Sequence, residues 1–133
     1  MQLFTVDQAN RTLPLVRRIV NDVVREHRLR GEKIVERDLL AAGAGHEMAG
    51  ARLAALDREI QALGRDIEGF ERELRALGIQ LKDPRIGLVD FPSNLEGRRV
   101  LLCWHLGEDA VGFWHDENAG FAGRRPLSPS LVG

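Results

Sequence analysis

The sequence predicts an α+β protein: a long antiparallel helical hairpin, coiled-coil-like, preceded by a short helix and followed by a small antiparallel β-sheet. Three observations carry this expectation. Residues 53–77 place apolar side chains at alternating steps of three and four without a miss, the period of a helical seam. The front of the chain holds helix start signals and a second, looser apolar stripe. Beyond residue 79 the texture changes to short β-rich runs punctuated by Gly, Pro, Asn and Asp. At 133 residues the chain fits a single domain, with residues 1–78 as the helical part and 79–133 as a β-hairpin and C-terminal loop part.

"FTVDQANRTLPLV" carries two start signals in succession. Thr5 and Gln8 have capping-box spacing, in which the hydroxyl accepts from a free amide and the glutamine reaches back. Pro14 lacks an N–H and crowds the preceding turn, so a short helix is expected from about Val6 to Arg11. A longer one should then start at Thr12, with Pro14 in its first turn, and run to about Leu40. Its stripe is Leu13, Val16, Val20 and Val23, resumed at Ile34. "AAGAG" at 41–45 suits a turn. The next helix carries Leu53, Leu56, Ile60, Leu63, Ile67, Phe70, Leu74 and Leu77, and Gly78 ends it.

Folding near Gly45 sets Leu13 opposite Leu77, Val20 opposite Phe70 and Leu39 near Leu53. Each arm is on the order of 40 Å long at about 1.5 Å per residue. In the middle, "REHRLRGEK" offers little apolar surface to Ile60 and Leu63, so arginine stems or another chain must cover them. Leu15, Ile19 and Val24 widen the apolar arc beyond one seam. The β part or a partner subunit must bury it, and a homo-oligomer, most simply a two-fold dimer, is expected.

In the β part, "RIGLVDF" reads as a strand ended by Pro92, and "SNLEG" as a loop. "RRVLLCWHL" and "AVGFWHD" are two further strands joined across "GED". Pairing Leu106 with Asp109 puts Trp104 opposite Val111, Leu102 opposite Phe113 and Leu101 opposite Trp114. Apolar residues then line both faces, so the sheet should be covered on both sides.

Composition narrows the function classes. Nineteen basic and twenty acidic residues leave a net charge of −1, which argues against nucleic acid or anionic lipid as partners. The lone cysteine excludes an intrachain disulfide and a cysteine-rich metal cage. The start lacks a signal pattern, and no run approaches the roughly 20 apolar residues of a membrane span, so a cytoplasmic protein is expected. "HEMAG" at 46–50 opens like a zinc-protease helix but has Gly50 where the second histidine belongs. "GAGHEMAG" has the wrong glycine spacing for a dinucleotide loop.

Cys103, His105 and His115 look like ligands on the page. In the register above, however, the two histidines lie on opposite faces and near opposite ends of the hairpin, where they cannot share a metal. Cys103 and His105 splay apart along the strand, and Cys103 reads as a buried structural thiol. No metal site and no cofactor are predicted; a metal in the last loop would fall to His115, Asp116 and Glu117. The candidate ligand-binding group is Trp104, Trp114, His115, Asp116, Arg124 and Arg125. It joins acid–base groups to an arginine pair able to clamp a carboxylate or phosphate, with Gly120 and Gly123 permitting close backbone approach. The competing reading is a structural pin, in which Asp116 or Glu117 pairs with an arginine and Phe121 and Leu127 anchor the tail.

"LFTVDQANRTLPLV", "GIQLKDPRIGLVDFPS" and above all "LCWHLGEDAVGFWHDENAGFAGRRPL" resemble the bacterial domain of unknown function 2203 family, over nearly the whole chain. The resemblance implies no reaction, because that family is uncharacterised. It does draw interest to Asp90, Trp104, Glu108, Trp114, His115 and Arg124. The sequence reads best as a non-catalytic, homo-oligomeric binding or interaction module. The rival is a metal- or small-anion-binding protein or enzyme using the loop from His115 to Arg125.

Overall fold

A computed structural model describes residues 2–43 and 47–128. Two long helices pack as an antiparallel hairpin, α1 over Val6–Ala42 and α2 over Glu47–Ala76. They are followed by a five-stranded antiparallel sheet in chain order: β1 Gln80–Asp83, β2 Leu88–Leu95, β3 Arg98–Trp104, β4 Phe113–Asp116 and β5 Arg125–Pro126. Gly45, the expected fold point, and His46 of "HEMAG" lie outside the described residues.

The capping box forms: Thr5 Oγ1 accepts from the Gln8 amide at 3.0 Å, and Gln8 Oε1 from the Thr5 amide at 2.9 Å. There is no separate short helix before Pro14. One helix runs through it, and Thr12 donates its hydroxyl to the Gln8 carbonyl inside that helix instead of capping a second one. The reason is tertiary. Ala9, Leu13, Val16, Val20 and Val23 form one buried stripe crossing the proline, while Pro14 faces solvent. Burying that stripe on one continuous helical face outweighs the roughly 3 kcal/mol an interior proline costs.

At the other end of the hairpin, Gly78 (φ 86°) closes α2 in a Schellman motif: the Ile79 amide returns to the Leu74 carbonyl and the Gly78 amide to that of Arg75. Cross-pairs fix the helix register, among them Lys33–Glu59 at 3.1 Å and Arg52–Glu36 at 2.9 Å. Beside the polar middle of α1, Ile60 is buried within this chain. Arg30 lies against α2 there, its Nε 3.5 Å from where a Cβ at Gly64 would stand.

The sheet departs from expectation in three places. Pro92 lies inside β2, and Ser93 to Leu95, expected as loop, continue the strand. β1 pairs only with Leu88–Asp90, so beyond it no strand flanks that edge of β2 and the missing proline N–H leaves no gap in a ladder. The Pro92 carbonyl instead accepts from the Phe4 amide at 2.7 Å, and the Ser93 hydroxyl donates to the Phe4 carbonyl, which ties the N-terminus to the sheet. Secondly, β1 and β5 are short strands beyond those the alternation predicts. Thirdly, β3 and β4 pair one residue out of the expected register: Leu102 faces Trp114, Leu101 faces His115 and Cys103 faces Phe113.

That slip exchanges the faces of every β4 side chain. It arises because the connection is no tight turn. Residues 105–112 form a wide loop anchored by Trp104 Nε1 on the Glu108 carbonyl (2.9 Å) and by the Val111 amide on Asn10 Oδ1 (2.8 Å). The inner face, with Val89, Phe91, Val100, Leu102, Trp104 and Trp114, packs on Leu13, Val16, Val20 and Leu74 of the helices. The outer face carries Asp90, Leu101, Cys103, Phe113 and His115.

Candidate functional site

Alternation along three neighbouring strands assembles the outer-face cluster. Asp90 on β2 is the cross-strand partner of Cys103 on β3, and His115 on β4 is that of Leu101, two residues along from Cys103 on the same face. Asp90 is 2% exposed, Cys103 0% and His115 3%. A carboxylate oxygen, the thiol sulfur and an imidazole nitrogen all lie within 4.8 Å of one another. Burial raises the Asp90 carboxyl above its ordinary range, against the opposing pull of the His115 hydrogen bond. It also pushes the Cys103 thiol up to about 11, with Arg124 acting in the opposite sense.

The histidine's hydrogen bonds fix what its ring can do. His115 Nδ1 sits 2.7 Å from the Asp116 carbonyl, which can only accept, so Nδ1 carries the proton. In the neutral ring Nε2 is then an acceptor, and it faces Asp90 Oδ1 at 3.1 Å. Two acceptors at that distance need a cation between them, either a proton or a metal. A backbone carbonyl holding Nδ1–H is also the arrangement that orients metal-binding histidines. With both ring nitrogens engaged, neither is left to deprotonate Cys103. A cysteine–histidine–aspartate nucleophile is therefore not formed.

Around the cluster, Arg124 is stacked 3.8 Å from the Phe113 ring centroid and 4.9 Å from that of Phe121. It donates to both Glu108 oxygens at 2.9 and 3.0 Å. Glu108 Oε1 also accepts from the His105 amide at 2.9 Å, and the His105 ring stacks on Phe121. His105 thus closes the rim and takes no place in the cluster. Beside Asp90 and His115 a pocket of about 160 Å³ opens, lined also by Lys82, Leu88, Leu101, Glu117, Gly120 and Phe121. Lys82 reaches it from a bulge: Leu81 and Asp83 pair with the consecutive residues Val89 and Leu88, leaving Lys82 as the extra residue.

The residues singled out from the sequence divide between the two faces. His115 and Arg124 lie on the outer face. Trp104 is buried in the core beneath the sheet, and Trp114 lies on that same side between Arg98 (5.8 Å) and Arg125 (5.2 Å). The two tryptophans therefore share no pocket with His115 and Arg124. Asp116 pairs with Arg98, and Glu117 approaches Arg99 at 3.7 Å. Neither joins His115; its near neighbours are Asp90 and Cys103.

Asp90 stands outside the candidate ligand-binding group and enters the sequence analysis only through the family resemblance. Its signal was an acid flanked by Val89 and Phe91 in an apolar strand, since a buried carboxylate demands a partner. Lys82 gave no signal, because a bulge is invisible until strands pair.

No helix among the described residues is long and apolar enough to cross a membrane. No curated protein and no solved structure matches the chain. The family model described as "Uncharacterized conserved protein (DUF2203)" matches residues 2–127, a span that takes in both helices, the sheet and every side chain of the outer-face cluster, and the chain belongs to the DUF2203 family.

Proposed function

We propose that this protein binds a divalent transition metal on Asp90, Cys103 and His115, with zinc the ion best suited to the donor set, and keeps a further coordination position open. The observation that carries this reading is the buried convergence of one oxygen, one sulfur and one nitrogen donor within 4.8 Å. Zinc takes such mixed sets in tetrahedral array, and three protein ligands with an open fourth position is the pattern of catalytic rather than structural sites. The Asp90–His115 distance of 3.1 Å suits the edge of that tetrahedron. Donors at about 2.05 Å from the ion and that far apart subtend about 98°, near the tetrahedral value. Cys103 needs to close in by at most about 1.3 Å from the 4.8 Å limit, since edges to a sulfur ligand run to roughly 3.5 Å. A cation there also offsets the cost of ionising two buried acids.

The test is zinc uptake by the full chain after chelation and dialysis, followed by elemental analysis and thermal unfolding. One equivalent should be retained, and at a free zinc concentration of 100 Kd the fold should gain about 2.7 kcal/mol. Cys103→Ser and His115→Ala should lose the zinc-dependent gain while still unfolding cooperatively in chelator. A folded wild-type chain that takes up no zinc, cobalt or nickel at micromolar concentration rejects the reading.

Self-association through α1 is a second reading, favoured by Val35 (58% exposed) and Leu39 (70% exposed) one turn apart near the far end of that helix. A strict monomer at micromolar concentration in sedimentation would reject it.

A further inference from the structure

We infer that the pocket beside the proposed metal takes a small monocarboxylate, with one carboxylate oxygen on the open coordination position and Lys82 on the other. This rests on the metal reading above, and three observations extend it. Two of the three ligand residues, Asp90 and His115, stand in the wall of the 160 Å³ pocket, whereas Cys103 does not. The open side of an ion held by all three therefore faces the cavity, and what completes its shell must come through there.

The second observation is charge. A divalent ion bound to the Cys103 thiolate and the Asp90 carboxylate is neutralised within its own shell. Of the other charged groups lining the cavity, Glu117 is approached by Arg99 at 3.7 Å, and Lys82 remains as the unbalanced charge. A single negative charge on the ligand balances the site. A dianion such as phosphate overshoots, and meets the Glu117 carboxylate at the rim.

The third is backbone geometry. Lys82 is the bulged residue of β1, and bulges of this kind re-aim one side chain toward a site at a sheet edge. Opposite it Gly120, at φ 66°, turns the chain into the short helical turn of Phe121–Gly123 and puts no side chain into the opening. The walls between are apolar: Leu88, Leu101 and Phe121. Exposed Lys82 on the lining and a metal at the Asp90–His115 wall, with apolar walls between, suit a carboxylate on a short hydrocarbon body.

The full chain loaded with cobalt provides the test, because cobalt's visible bands report both thiolate ligation and a change of the fourth ligand. Sodium acetate and inorganic phosphate are titrated into the wild type and into Lys82→Ala. Acetate should shift the ligand-field bands saturably, phosphate should bind more weakly, and Lys82→Ala should weaken acetate about tenfold through loss of one charge-assisted hydrogen bond. Cobalt uptake should be equal in the two proteins, since Lys82 is not a ligand. Cobalt bound with thiolate bands but insensitive to both anions overturns the carboxylate inference and leaves the metal reading standing. So does equal acetate affinity in Lys82→Ala, or phosphate bound more tightly than acetate. No cobalt uptake by the folded wild type overturns both.

Discussion

Gly87→Ala probes the contact on which the sheet is seated. Gly87 lies in the β1–β2 turn at φ 69°, where an L residue costs about 1 kcal/mol. A Cβ built there would stand 2.5 Å from Val20 Cγ1, 3.0 Å from Val24 Cγ2 and 3.1 Å from Leu106 Cβ. Relaxed carbon contacts lie at about 3.5–4.0 Å, so the turn must lift by about 1 Å or Val20 must leave its rotamer. Val20 is fully buried in a helix, where one rotamer dominates for a β-branched side chain. Overpacking of this kind costs roughly 1–3 kcal/mol, bringing the total to about 3 kcal/mol.

Gly97→Ala is the control. Gly97 follows Glu96 (φ 53°) in the two-residue β2–β3 turn at φ 79°, and nothing lies within 4 Å of its Cβ position. It should lose only the conformational part, about 1 kcal/mol. For 133 residues each kcal/mol moves the melting temperature by roughly 3–4 °C, so drops of about 10 °C and about 4 °C are expected in thermal unfolding. Equal drops would refute the seating argument, since they would leave only the backbone penalty that both sites share.

Three further outcomes are expected. Pro14→Ala restores an N–H to an exposed position inside α1 and should stabilise by about 1–3 kcal/mol in urea unfolding; a loss would mean that the ring itself is needed for packing. Arg124→Lys removes the guanidinium plane stacked on Phe113, whose Nη2 donates to both Glu108 oxygens, and should cost about 1–2 kcal/mol in thermal unfolding; no change would show the stack contributes nothing. Glu26 is held above its ordinary range by partial burial and by the Asp66 carboxyl across the hairpin. A carboxyl raised in the folded state stabilises the fold at low pH and ceases to as pH rises through its folded value. Glu26→Gln should therefore add less than about 1 kcal/mol near neutral pH, because water screens the pair, and nothing near pH 4. A gain equal at both pH values in urea unfolding would contradict this.

The helices were legible because their signals are local and repeated. Thr5, Gln8, the Leu53–Leu77 stripe and Gly78 act over three or four residues, and the structure keeps each of them. Pro14 misled, because a proline's cost is local while the Ala9–Val23 stripe that outweighs it is satisfied only against the sheet and α2. In the β part, period-two alternation marks strands but not their register. The expected tight turn at "GED" was one residue wrong, and that single residue moved His115 to the side of Asp90 and Cys103 and Trp114 into the core.

The sequence by itself determined the α+β class, the helical hairpin and the Gly78 stop of its second helix. The tertiary structure decided which side chains meet. Asp90, Cys103 and His115 come from three strands separated by two turns, and their convergence depends on registers set by the Glu96–Gly97 turn and the Glu108-anchored loop. Because a strand presents alternate residues to opposite faces, one step of register makes or breaks the cluster. No pattern along the chain encodes that step; it follows from which face the helices bury.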